Sequence, residues 1–169
     1  MTSVRILLFR SAAALALAAS APAAVRAEGL VSTKRLSASL AAELVLGAVT
    51  ACAQKDYHVG AVVLDTSGVQ QAALRGDGAA AQNVLNAIDK AYTAASFGMD
   101  TAELVERAKS GAVSSAFAKV PHLLLNAGGV VIKVGDEVIG AIGVSGAPGG
   151  DNDVVCAKAA LEKIKDRMK

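Results

Sequence analysis

Two tight turns between β-prone runs constrain this chain more than any other feature. Residues 59–65 (VGAVVLD) are apolar and rich in β-branched side chains, Thr66-Ser67-Gly68 is a turn signal, and residues 69–75 (VQQAALR) return from it. Val130 to Val134 and Glu137 to Val144 repeat the pattern around Gly135-Asp136. A short turn can join only antiparallel strands, because a parallel pair needs a crossover of a dozen or more residues. The sheet is therefore mainly antiparallel, which excludes a doubly wound nucleotide-binding fold and points to α+β.

Helical patterns fill the remaining chain. Residues 32–55 carry a stripe of Leu36, Leu40, Leu44, Ala48 and Cys52, and residues 79–97 one of Val84, Ile88, Ala91 and Ala95. Gly98 ends the second helix, and Asp100 with Glu103 starts a short third one over 101–109. Ala112 to Lys119 reads as one more helical turn, stopped by Pro121, and the apolar run His122 to Leu125 as a further strand. After the glycine-rich loop Ser145 to Gly150, one of Asp151, Asn152 and Asp153 caps a last helix. Its stripe is Val154, Ala157, Leu161, Ile164 and Met168. The expected order is α, β, β, α, α, β, β, β, α.

The first 27 residues read as a leader. Arg5 and Arg10 precede the apolar run Ser11 to Ala19, which is too short to span a bilayer, and Val25-Arg26-Ala27 offers small side chains for cleavage after Ala27. Export by the Sec route to the periplasm or the outside follows. Removing residues 1–27 from the 169 leaves a domain of 142, and losing three arginines and no acid takes the formal net charge from +2 to −1. With neither a basic face nor interleaved aromatics, a nucleic-acid partner is not expected. Cys52 and Cys156 can pair in an oxidising compartment only if the two terminal helices pack side by side; two separate buried small residues is the preferred alternative.

Catalytic signatures fail one by one. Gly140-x-x-Gly143-x-x-Gly146 lacks the dinucleotide spacing, Ala147 stands where a nucleophile elbow around Ser145 needs glycine, and no Walker lysine follows SGAPGG. His58 and His122 each open an apolar run with no metal spacing between them. Arg75-Gly76-Asp77-Gly78 is either a loop with an anchoring charge pair or a solvated turn. Tyr92 and Thr93 are unusual among the alanines of their helix and invite a contact explanation.

Three blocks, in order, carry a family likeness. The first is Gly60-Ala61-Val62-Val63-Leu64-Asp65 with Ser67-Gly68. The second is Leu74-Arg75-x-Asp77-Gly78-Ala79 followed by Asp89-Lys90-Ala91-Tyr92-Thr93-Ala94-Ala95-Ser96-Phe97-Gly98. The third is Gly128-Gly129-Val130, then Val138 to Gly146, then Gly149-x-Asp151-x-Asp153-x-x-Cys156-Ala157. The sequence thereby resembles the GlcG/HbpS-like family of haem-binding (haem-degrading) domains, related to the C-terminal domain of PduO proteins.

That resemblance implies a profilin-like sandwich with a five-stranded, mainly antiparallel sheet, and haem as the cofactor. It places Thr93 nearest the iron, with Lys90 and Tyr92 beside it, and Arg75 against a propionate. A threonine hydroxyl is a weak axial ligand, so His58, His122 and Met99 stand as alternative donors. It also implies a homo-oligomer, and for some members a membrane sensor as partner. The expected function is an exported haem-binding protein for sequestration, transport or sensing. The alternatives are a small enzyme acting on haem or an organic acid, and a ligand-free accessory of a sensor. No paired carboxylates, metal cluster or nucleophile supports the enzyme.

Overall fold

The computed structural model describes residues 29–168. The expected leader and its cleavage site after Ala27 lie outside them. Helix α1 (Ala38–Ala53) starts later than its apolar stripe, because Ser37 is extended and its hydroxyl accepts from the Leu40 amide, capping the helix there. Strands β1 (Gly60–Asp65) and β2 (Gln70–Arg75), helices α2 (Ala81–Phe97) and α3 (Thr101–Lys109), strands β3 (Gly129–Val134) and β4 (Glu137–Ser145) and helix α4 (Gly150–Ile164) follow. One-turn 3-10 segments at Ser115–Lys119 and Lys165–Arg167 complete the list.

The sheet has the order β2-β1-β4-β3, and every neighbouring pair is antiparallel. Its first turn is built by Asp65, whose carboxylate accepts from the amides of Ser67 (2.9 Å) and Val69 (3.0 Å), while Gly68 takes a left-handed φ of 76°. The fold is the α+β sandwich expected, with four strands where five were expected. The missing strand is His122 to Leu125. Leu123 N–H donates to Val120 O, Asn126 N–H to Leu124 O, and Leu124 N–H to the Thr93 hydroxyl, so no ladder partner is taken. An apolar run alone does not distinguish a strand from a covering loop.

The two faces of the sheet are packed differently. Ala61, Val63, Val130, Ile132, Ile142 and Val144 face α1 and α4, forming the larger core with Leu44, Ala48, Ala157 and Ile164. Val62 and Leu64 face α2 and meet Ala87 and Ala91. Helix α2 lies against strand backbone: a Cβ on Gly143 would stand 1.9 Å from Ala87 O, and one on Gly60 2.8 Å from Val84 N. Cys52 and Cys156 form a disulfide between α1 and α4, with Cα atoms 5.4 Å apart, which corrects the expectation of two separate thiols. Among the described residues no helix is long and apolar enough to cross a membrane.

Candidate functional site

Helix α2 carries three of the six expected site residues, Lys90, Tyr92 and Thr93, on two of its sides. On the inward side Lys90 is 2 % exposed. Its ammonium donates to Asp153 Oδ2 (2.8 Å) and to Val144 O (3.0 Å), and Asp153 Oδ1 accepts from Ala147 N–H (3.0 Å). Burial pushes the Asp153 carboxyl up from the usual carboxylate range, against the pull of the Lys90 ammonium and the Ala147 amide. Lys90 thus ties α2, the end of β4 and the start of α4 together, and it does not reach the surface. Asp153, read from sequence only as one of three capping residues, acts here by fastening the glycine-rich loop before α4.

Thr93 is 0 % exposed, under the segment 120–126. Its hydroxyl donates to Asp89 O (2.7 Å) and accepts from Leu124 N–H (2.8 Å). One turn earlier on α2, the Asp89 carboxylate lies 3.2 Å from His122 Nδ1. The Tyr92 ring meets the His122 ring edge-on, with centroids 6.4 Å apart, and packs over the β1–β2 turn, where a Cβ on Gly68 would come within 2.9 Å of it. Sequence reasoning gave Asp89 no role; its signal was its position four residues before Thr93, which puts both on adjoining turns of one helix.

Arg75 and His58 lie away from these residues, near the start of α2. Arg75 ends β2 opposite Gly60, and Asn83 at the start of α2 donates to His58 O (3.0 Å). His58 Nδ1 lies 2.7 Å from Asp77 O. Arg75, His58 and Asp77, with Leu46, Val49, Tyr57 and Leu74, line a cleft of about 440 Å³ on the α1 side. Nine residues of α2 separate Asn83 from Tyr92, about 14 Å along the axis. The structure therefore brings Tyr92, Thr93 and His122 together, and Arg75 with His58, as two groups.

Apolar residues of α2 lie between the two groups along the helix. Ala73 and Arg75 pair with Val62 and Gly60, so they share the α2 side of the sheet. On that side α2 has partly buried Ile88 packed on Val62, Leu64, Ala87 and Ala91, and exposed Leu85 and Tyr92 two turns apart on one stripe, and Val69 is exposed beside the turn. Met99 lies apart from all of this, in a groove of about 720 Å³ between α3, β3 and α4. The cations of that groove are largely matched: Arg107 pairs with Glu103 and Lys158 with Asp100.

Residues 36–162 match a family model described as haem degrading protein HbpS-like. The chain belongs to the HbpS-like family. It is similar to the crystal structure of HbpS, with 32 % identity and a TM-score of 0.77 over 84 % of this chain and 99 % of that one. A double mutant of HbpS from Streptomyces reticuli gives 34 % identity and a TM-score of 0.76, covering 86 % and 98 %. A PduOC complex with haem shares the fold at 24 % identity and a TM-score of 0.70, covering 76 % and 94 %. A search of the curated proteins gives no match. The family is a haem-associated one.

Proposed function

We propose that this chain is an exported haem-binding protein that holds haem on the strip between α2 and β2. The macrocycle lies over Leu85, Ile88 and Tyr92, a propionate meets Arg75, and the iron sits at the Thr93 end of the helix. The observation that carries this reading is the exposed apolar stripe of Leu85 and Tyr92 on α2 in a member of a haem-associated family, with Arg75 near one end and the His122 imidazole near the other. Export is supported by the leader pattern of residues 1–27 and by the buried disulfide, since such bonds persist in oxidising compartments. A strip of this kind, left exposed in one chain, also supports self-association. In this role the protein sequesters or carries haem, or presents it to a membrane sensor.

Titration of residues 28–169 with hemin tests it. A saturable, shifted Soret band is expected, weakened about tenfold by Leu85→Asp, which places a charge on the strip. A spectrum equal to that of free hemin at all ratios overturns the reading. Haem turnover is a second reading, favoured by the family's description as haem degrading. It predicts that the Soret band decays when reductant and dioxygen are both supplied, and that ring-opened product accumulates beyond one equivalent.

A further inference from the structure

We infer that the outer edge of β2 is a docking surface for a second copy of this chain. The two β2 strands pair antiparallel about a twofold axis at Ala73 and join the two four-stranded sheets into one. This goes beyond the haem reading and needs no ligand.

The two edges of the sheet differ. On β3, Gly129 N–H donates to the Thr101 hydroxyl (2.9 Å) and Val131 N–H to Asp100 Oδ1 (3.0 Å), so the start of α3 occupies the outward amides. Thr101 is buried, and Asp100 also holds Lys158 (3.0 Å). Lys133 adds a charge further along the same strand, a usual device against edge-to-edge pairing. That edge is closed within the chain.

The β2 edge is open. Gly76 N–H donates to Val59 O, and the ladder continues from Gly60 opposite Arg75 to Val63 opposite Ala72. Bonds in an antiparallel pair alternate in direction along each strand. Ala72 and Leu74 therefore bond to β1, and the amides and carbonyls of Ala73 and Arg75 point outward. Among the described residues no hydrogen bond reaches those groups. Residues 72–75 contain no proline, no lysine and no bulge; the bulge of β2 is at Gln71, before them. Apolar side chains flank the edge on both sides. Val69, just before the strand, is 58 % exposed, and Leu46, which lines the α1 cleft with Leu74, is 56 % exposed. Pairing at this edge satisfies the free backbone groups and covers these side chains together.

Charge favours the chain itself as the occupant. Arg75 is the one charged residue of β2 and stands at its end. With the two Ala73 residues face to face, the two Arg75 residues lie about 14 Å apart along the strands, so no like charges meet.

The test is the mass of residues 28–169 in solution, without hemin, by sedimentation velocity. Wild type is expected at twice the mass of one chain or a multiple of that. Ala73→Asp and Ala73→Lys each set like charges face to face across the axis, and each is expected to halve the mass while keeping the wild-type circular dichroism. Mixing the two variants pairs opposite charges and restores it. Ala73→Pro removes only an outward amide and also halves the mass. Wild type that stays a single chain at every concentration overturns the inference and leaves the edge to a strand of another protein. A mass unchanged by either charge overturns it as well, because the copies then meet on another face, as does a mixture of folded variants that fails to re-form. If the variants misfold, hydrogen exchange in wild type decides. Protected amides at Ala73 and Arg75 that become fast on dilution support the pairing, and fast exchange at all concentrations refutes it.

Discussion

Lys90 shows what a single side chain can do when its surroundings differ from the expected ones. The resemblance placed it beside the iron, but its ammonium is buried against Asp153 and Val144 O. Removing one member of a buried ion pair strands the other charge in a low-dielectric interior, at a cost of about 3–5 kcal/mol. Lys90→Met is expected to show a loss of that order in urea denaturation, with no direct effect on the visible spectrum of any bound haem. The double change Lys90→Met/Asp153→Leu removes both charges and recovers part of it. Recovery is incomplete, because Val144 O and the Ala147 amide, now without their partners, remain in place. A double change no better than Lys90→Met would show that these backbone bonds, not the charges, carry the stability. None of this pairing was readable in the sequence. Lys90 and Asp153 are 63 residues apart, and only the closed sheet brings α2 and the start of α4 together.

The elements themselves were largely legible, for local reasons. Both hairpins follow from turn residues that act on their own neighbours, as Asp65 does on Ser67 and Val69. The predicted stripes find the packed side of each helix only in part: Leu44, Ala48 and Cys52 of α1, Ala91 of α2, and Ala157 and Ile164 of α4 are buried, while the buried face of α2 also takes in Ala87, Lys90, Thr93 and Ala94. Errors arose where a segment takes its hydrogen bonds from elsewhere. His122 to Leu125 looks like a strand by composition, but Leu124 is claimed by Thr93, and sequence alone does not show a side chain from a helix 31 residues away. The glycines of β1 and β4 have an element-scale reason as well. They let α2 lie directly on the strands, which turns the stripe of Leu85 and Tyr92 toward the β2 side. Gly143→Ala would put its Cβ 1.9 Å from Ala87 O, against backbone that cannot rotate away. The expected loss is about 3 kcal/mol, at the upper end of overpacking costs, read as a lower thermal midpoint. A midpoint within experimental error of wild type would mean that α2 is not seated on β4 in this way. Because the proposed site is built on α2, hemin affinity should fall with stability in this variant.

At the scale of the whole molecule, the disulfide decides how the two ends of the domain are held. Cys52 and Cys156 lie 104 residues apart, and their bond closes nearly the whole sheet and α2 into one loop. The sequence supplied both cysteines at helical positions, yet their pairing depends on α1 and α4 lying side by side on one face of the sheet, a relation between the two ends of the domain. A cross-link of this span restricts the unfolded chain strongly: the chain-entropy model gives about 4.7 kcal/mol for a loop of some hundred residues, and measured losses for native disulfides run about 2–5 kcal/mol. Cys52→Ser/Cys156→Ser is therefore expected to unfold at clearly lower urea, by that range, with the sheet and helices still formed in its native state. Both cysteines are buried, so a thiol reductant reaches the bond only when α1 and α4 separate. Native protein should resist reduction for far longer than protein held near its urea midpoint, as thiol trapping with mass detection would follow. Equal urea midpoints for the oxidised protein and the double serine variant would refute the stabilising role. Rapid reduction under native conditions would instead show that the two helices open readily, and the hemin titration would then have to be repeated in the reduced form, since α2 packs on the opposite face of the same sheet.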